Sequence, residues 1–255
     1  SMKQLIDIIV RSPAPSMIQT PFPLRGIPDY ARACLQHQDI CAALDKAGAN
    51  IIHLKTKPEF SNGSQIDDIA VITETVAVFS NGDREHSRRE EQQDLANLMA
   101  QDRILKFISP PGILSGGDVL RINDCFYIGI SDKTNEEGAG QLAFFLKEFG
   151  YEANILIPER NDIHLKSNAA LLPDGKIFIS ENLAGHYAFL GFDKITVSAG
   201  EALAASGFSF GDTYFMPGGL KNAARQLKVG GIKVCEINVS EFEKSGACLA
   251  SLALQ

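Results

Sequence analysis

The feature that most constrains this chain is a recurring order of elements. Short apolar runs such as "LIDIIV", "IAVITETVAVF", "DVLRI", "CFYIGI", "KIFIS" and "DTYFM" are rich in β-branched or aromatic residues and are bounded by Gly, Asn, Asp or Pro, the grammar of strands. Amphipathic stretches alternate with them: "PDYARACLQHQDICAALDKAG", "HSRREEQQDLANLMAQ", "EGAGQLAFFLKEFG" and "GGLKNAARQLKVGG". The first opens on Pro-Asp and the others carry helical periodicity, with Gly at or near their ends. Strand, strand, helix, strand recurs roughly every 50 residues. No Pro/Gly/Ser tract or charge block divides the units. The pattern predicts one α/β domain over residues 1–255, made of five similar units around a centre.

Bulk properties exclude several classes of function. The formal net charge of −7 disfavours a nucleic-acid partner and favours, weakly, a cationic small molecule. No apolar run approaches the ~20 residues of a membrane span, and "SMKQLIDIIV" has no signal-peptide pattern. The five cysteines are odd in number and widely spread, so they read as free thiols of a reducing, cytoplasmic setting.

Five places carry residues capable of chemistry. In "IDDIAVI", Asp67 and Asp68 directly precede an apolar strand; the bland reading is a solvated turn. In "LSGGDVL", Gly116 and Gly117 free the backbone before Asp118. There is no Lys-Ser/Thr after them, so this is not a phosphate loop. His164 in "DIHLKSNAALL" is the side chain best matched to proton transfer near neutral pH, though a lone His is more often structural. Cys248 in "GACLASLAL" is either a small hydrophobe in a core strand or a nucleophile that pairs with His164. Cys34, His37 and Cys41 share one helical face, but structural zinc takes four ligands and this face is also the core face, so no metal site is expected.

Taken in order, "IIVRSP", "QHQDICAAL", "IDDIAVI", "SRRE", "GGDVL", "IGISDKTNEEGA", "IHLKS" and "GACLASL" resemble the dimethylarginine dimethylaminohydrolases of the guanidine-modifying superfamily over nearly the whole chain. The resemblance implies a five-bladed α/β propeller, the pentein fold, of pseudo-repeated ββαβ units. It implies that Cys248 is the nucleophile, His164 the general acid/base and Asp68 the carboxylate that grips the guanidinium. Asp67 is its acidic neighbour, Arg88 a clamp for the substrate carboxylate, and Phe22 falls at the lid position whose carbonyl meets the substrate amino group. The implied reaction is hydrolysis of an arginine-like guanidinium through a covalent thiouronium, dimethylarginine giving citrulline and dimethylamine, without metal or organic cofactor. The implied state is a monomer or homodimer.

The chain departs from the family pattern at three places. Ser115 stands where an Asp or Glu normally orients the catalytic histidine, and Asp118, beyond the glycines, is expected to be structural. Lys133 replaces an arginine that binds the substrate carboxylate, keeping charge but losing the bidentate fork. Asn62 replaces an acid near the substrate amino group. Hence the tail of the substrate is open, and the alternatives are an arginine deiminase, an amidinotransferase, or a guanidine-binding protein impaired in catalysis.

Overall fold

A computed structural model describes residues 7–20, 25–82 and 89–255. Phe22 and Arg88 lie outside the described residues. β1 (Asp7–Arg11), α1 (Tyr30–Lys46) and β2 (Asn50–Leu54) form the first unit, with β1 and β2 parallel. The second runs β3 (Ala70–Ile72), β4 (Val76–Phe79), α2 (Arg89–Met99), β5 (Ile104–Phe107), and the third β6 (Val119–Ile122), β7 (Cys125–Gly129), α3 (Glu136–Glu148), β8 (Glu152–Leu156). In the fourth, the one-turn helix α4 (Leu165–Asn168) leads into β9 (Ala169–Leu171), β10 (Ile177–Ser180), α5 (Glu181–Ala184) and β11 (Lys194–Val197). β12 (Phe208–Phe210), β13 (Thr213–Pro217), α6 (Lys221–Val229) and β14 (Lys233–Ile237) complete the fifth, and α7 (Ser240–Glu243) follows.

Each three-stranded sheet is built alike. Its first two strands pair antiparallel, and the helix then returns the chain to a third strand parallel to the second. The middle strands β4, β10 and β13 are buried along their whole length, which is why they read as unbroken apolar runs. Helix ends follow local chemistry. The Asp29 carboxylate accepts from the backbone N–H of Arg32 and Asn135 from that of Gly138, each satisfying an orphan donor.

Among the described residues the first unit has no antiparallel strand of its own, and β1 is instead bridged by one residue near the other end of the chain. Ile9 and Leu254 exchange both backbone hydrogen bonds, at 2.8 and 3.0 Å. The expectation that Gly246–Leu254 is a core strand is corrected here. Leu249–Leu252 is a 3₁₀ turn, and only Leu254 makes a bridge. Two strands, β9 and β12, were not apparent from the sequence because three residues are too few to show a period.

The site is positioned by what precedes the first strand of each unit. At these places the chain makes a short helical turn: Ile66–Ile69, Gly116–Asp118, α4, Ala199–Ser206 and Leu249–Leu252. Ile66–Ile69 touches both Leu249–Leu252 and Gly116–Asp118; Gly116–Asp118 also touches α4, which touches Ala199–Ser206. The approach between the second and third units is so close that a Cβ on Gly116 would collide with the carbonyl of Asp67. That contact is the physical reason for a glycine there.

Candidate active site

Four of these five turns contribute to one pocket. Asp67 and Asp68 come from the first, Ser115 and Gly117 from the second, His164, Lys166 and Ser167 from α4 and its cap, and Cys248 and Ser251 from the last; Gln65 and Lys133 complete the wall. The fifth turn, "AGEALAAS", is nearly all small and apolar.

Cys248 occupies the N-cap position of Leu249–Leu252 and is 7% exposed. Its N–H donates to Ser251 Oγ at 3.2 Å, and its Sγ lies 3.3 Å from the same oxygen. Burial pushes the thiol up; hydrogen bonds from Ser251 and Ser167 pull it down, and the negative charge of Asp68 pushes it up again.

His164 caps α4. Asn168 Nδ2 donates to the His164 carbonyl at 2.9 Å and Ser180 Oγ donates to Asn168 Oδ1 at 2.8 Å, so the backbone that carries the ring is held from two sides. Its Nδ1 lies 3.0 Å from Oδ1 of Asp118, a wholly buried carboxylate. The other oxygen of Asp118 accepts from Ser131 Oγ at 2.7 Å and Thr134 Oγ1 at 2.6 Å. Burial by itself lowers the pKa of His164, but the bond and charge of Asp118, aided by Asp132 and opposed by Lys133, raise it above its ordinary value.

The expectation that Asp118 is structural is thus corrected: it is the carboxylate at the imidazole. Ser115, for which the orienting place was expected, uses its hydroxyl to accept from Gly117 N–H at 3.3 Å and so caps its own turn. The chain passes through Gly116–Gly117 in a 3₁₀ turn that carries Asp118 to the ring, which no motif reading by position could foresee.

Asp67 and Asp68 sit in a 3₁₀ turn, and the solvated-turn reading fails for Asp67, which is 4% exposed. Lys166 Nζ donates to both its oxygens at 2.7 and 2.8 Å. Burial raises the Asp67 carboxyl despite the opposing pull of Lys166. This pair also lines a wider cavity of about 750 Å³ walled by β3, β6, β9 and Ala253–Gln255, so it separates that space from the Cys248 pocket. Asp67 is therefore engaged by a lysine, and the half-buried Asp68 lines the pocket beside it. Lys133 lines the rim and is exposed. Asn62 accepts from Gln65 Nε2 at 3.2 Å, and Gln65 lines the pocket.

Sequence reasoning assigned no site role to Lys166, Ser167, Ser251 or Asp132. Lys166 and Ser167 directly follow His164 on a one-turn helix, and their proximity was the available signal. Ser251 is three residues from Cys248, the spacing of a helical cap, but a strand reading hides it. On α1, Cys41 Sγ lies 3.8 Å from Nδ1 of buried His37, and no group of three or more metal-ligating side chains is found among the described residues.

No family model matches the chain. It is 28% identical over 252 residues to N(G),N(G)-dimethylarginine dimethylaminohydrolase of Pseudomonas aeruginosa, an alignment covering 97% of this chain and 98% of that one. The enzyme of the same name from Streptomyces coelicolor is 25% identical over 257 residues, covering 97% and 95%. Among solved structures, a cysteine-to-serine variant of the Pseudomonas aeruginosa enzyme complexed with citrulline superposes with a TM-score of 0.92 at 27% identity, covering 99% of both chains. A histidine-to-glycine variant of a dimethylarginine dimethylaminohydrolase, as an adduct with S-methyl-L-thiocitrulline, gives 0.91 at 26% identity, covering 98% and 99%. The N-terminal domain of ArgZ, a cyanobacterial arginine dihydrolase, shares the fold, with a TM-score of 0.84 at 17% identity over 98% and 97% of the chains. The likeness read from short motifs extends over the whole chain in sequence and in fold.

Proposed function

We propose that this chain, a relative of the dimethylarginine dimethylaminohydrolases from end to end, hydrolyses the guanidinium of arginine-like substrates, converting dimethylarginine to citrulline and dimethylamine through a thiouronium on Cys248. One observation carries the reading: Cys248, His164 and Asp68 line a single pocket, and a buried carboxylate stands at the His164 ring.

A guanidinium carbon is a poor electrophile because resonance spreads the positive charge over three nitrogens. Asp68 pairs with the planar cation and sets its carbon over sulfur, an orientation that is worth several kcal/mol. The cation also offsets the charge of Asp68, which is one of the causes raising the thiol, so binding substrate favours the thiolate. The thiol proton is lost to solvent as the cation binds, the thiolate attacks carbon, and a tetrahedral adduct forms. The bond to the leaving nitrogen breaks with its electron pair, and His164 supplies the proton. The neutral imidazole then takes a proton from water as that water adds to the thiouronium carbon; collapse expels sulfur and leaves the ureido group. Asp118 steadies the imidazolium throughout. Lys133 meets the substrate carboxylate as a point charge, and the family resemblance assigns Arg88, Phe22 and Asn62 to the same amino-acid end of the substrate.

The catalytic groups come from turns at 67–68, 118, 164 and 248, so residues 1–255 act as one domain, a five-bladed propeller with the pocket on its axis. No described helix is long and apolar enough to cross a membrane. A cytoplasmic monomer or homodimer is the assignment that fits the thiol chemistry. Steady-state assays of dimethylarginine, monomethylarginine and arginine, read as ureido product and released amine, test the function. Turnover of dimethylarginine, lost in Cys248→Ser, is expected. No turnover of the three, with Cys248 unmodified by a chloroacetamidine, rejects it.

A further inference from the structure

An imidazole has two ring nitrogens, and Asp118 accounts for one. The other, Nε2 of His164, lies 3.2 Å from Oδ1 of Asp132. We propose that Asp132 is a positioning residue for the reaction: its carboxylate grips the proton-delivering nitrogen of His164, holding the ring as an imidazolium between two carboxylates, and it yields that nitrogen to the departing amine when substrate is bound. The second half of this statement rests on the hydrolase reading above; the first stands on geometry.

The two carboxylates are built differently. Asp118 has no exposed side-chain surface and is pinned by two hydroxyls, so it is fixed. The Asp132 side chain is 52% exposed, while its backbone N–H donates to the Asn161 carbonyl at 2.8 Å. The backbone is anchored and the carboxylate is free to swing. Both hydroxyls that hold Asp118, and Asp132 itself, come from the single turn "SDKT", closed by a bridge between Ser131 and Thr134. The turn thus clamps both sides of the ring. It supplies a second charge to His164 in a chain where Ser115 brings none.

A ring with both nitrogens facing carboxylates needs a proton on each to avoid lone-pair repulsion, which selects the imidazolium. The charged and titratable groups around it are Asp118, Asp132, Lys133, Asp162 with its partner Arg160, the Lys166–Asp67 pair, and Asp68 and Cys248 across the pocket. Lys133 opposes protonation; Asp118 and Asp132 favour it. During the reaction the Nε2 proton moves to the leaving nitrogen as the carbon–nitrogen bond breaks. Nε2 then carries a lone pair that repels Asp132, so the carboxylate is released toward the new amine, whose N–H groups it can accept.

The test is an NMR titration of His164 in substrate-free protein carrying labelled histidine and Cys248→Ser, the signal assigned by its absence in His164→Asn. Asp132→Asn is expected to lower the midpoint by about half a pH unit, the scale of a half-exposed ion pair. Asp132→Glu should restore it, and 1 M salt should lower the midpoint of the parent protein but not of Asp132→Asn. In the Cys248 enzyme, the alkaline limb of kcat/KM for dimethylarginine should move to lower pH in Asp132→Asn by the same amount. An unchanged midpoint in both Asp132→Asn and Asp132→Ala overturns the proposal whether or not the protein turns over substrate. A shifted midpoint in a protein without turnover upholds the Asp132 contact and sinks the hydrolase reading instead.

Discussion

Asp118 has a hydrogen bond to His164 and two hydroxyl donors, and its side chain is wholly buried. Removing its charge while keeping its shape should hurt catalysis more than folding. Asp118→Asn is expected to lower turnover of dimethylarginine by about 10²- to 10⁴-fold, the range for a disabled general acid and its orienting carboxylate. Ser115→Ala should cost at most a few-fold, since that hydroxyl caps a turn and does not touch the imidazole. Comparing kcat for the two variants, with circular dichroism as a check on folding, decides which acts on the histidine. The two positions are three residues apart, and sequence position alone favoured the wrong one. Backbone direction through Gly116–Gly117 decides the matter.

The short turns that precede the first strands line the pocket, and their packing sets its geometry. Gly116 is the tightest point: a methyl group there meets the carbonyl of Asp67. Gly116→Ala must push the Ile66–Ile69 turn aside, carrying Asp67 and Asp68 with it. A loss of about 1–3 kcal/mol in urea unfolding is expected, as for other overpacked sites, together with a raised KM from the displaced Asp68. Unchanged stability and KM would show that the two turns have slack. The longer elements were legible from sequence because their signals are local. α1 and α3 have side-chain caps at their starts, and the middle strands are unbroken apolar runs. The 3₁₀ turn at Leu249–Leu252 was not legible. A run of small residues and leucines has no period of 2 or 3.6 to separate strand from turn.

At the scale of the molecule, the first unit is completed by the last residues of the chain. Leu254 is 2% exposed and exchanges two hydrogen bonds with Ile9. Deleting Ala253–Gln255 removes that buried leucine and leaves β1 with an unpaired edge. A cost of about 3–5 kcal/mol is expected from apolar burial and the lost bonds, read as a fall in Tm. Activity should fall further than stability requires, because the turn that carries Cys248 is tethered by this same contact. A truncated protein with the Tm of the full chain would show that the closure contributes little. By itself, the sequence determined the order of elements and the five-unit repeat, because helix periods, strand patterns and caps act over a few residues, while the roles of Cys248, His164 and Asp68 were expectations from the family resemblance. Only the tertiary structure decided which carboxylates meet His164, that Lys166 occupies Asp67, and that Ile9 pairs with Leu254. Those outcomes depend on contacts between residues tens to hundreds of positions apart, where no local preference reaches.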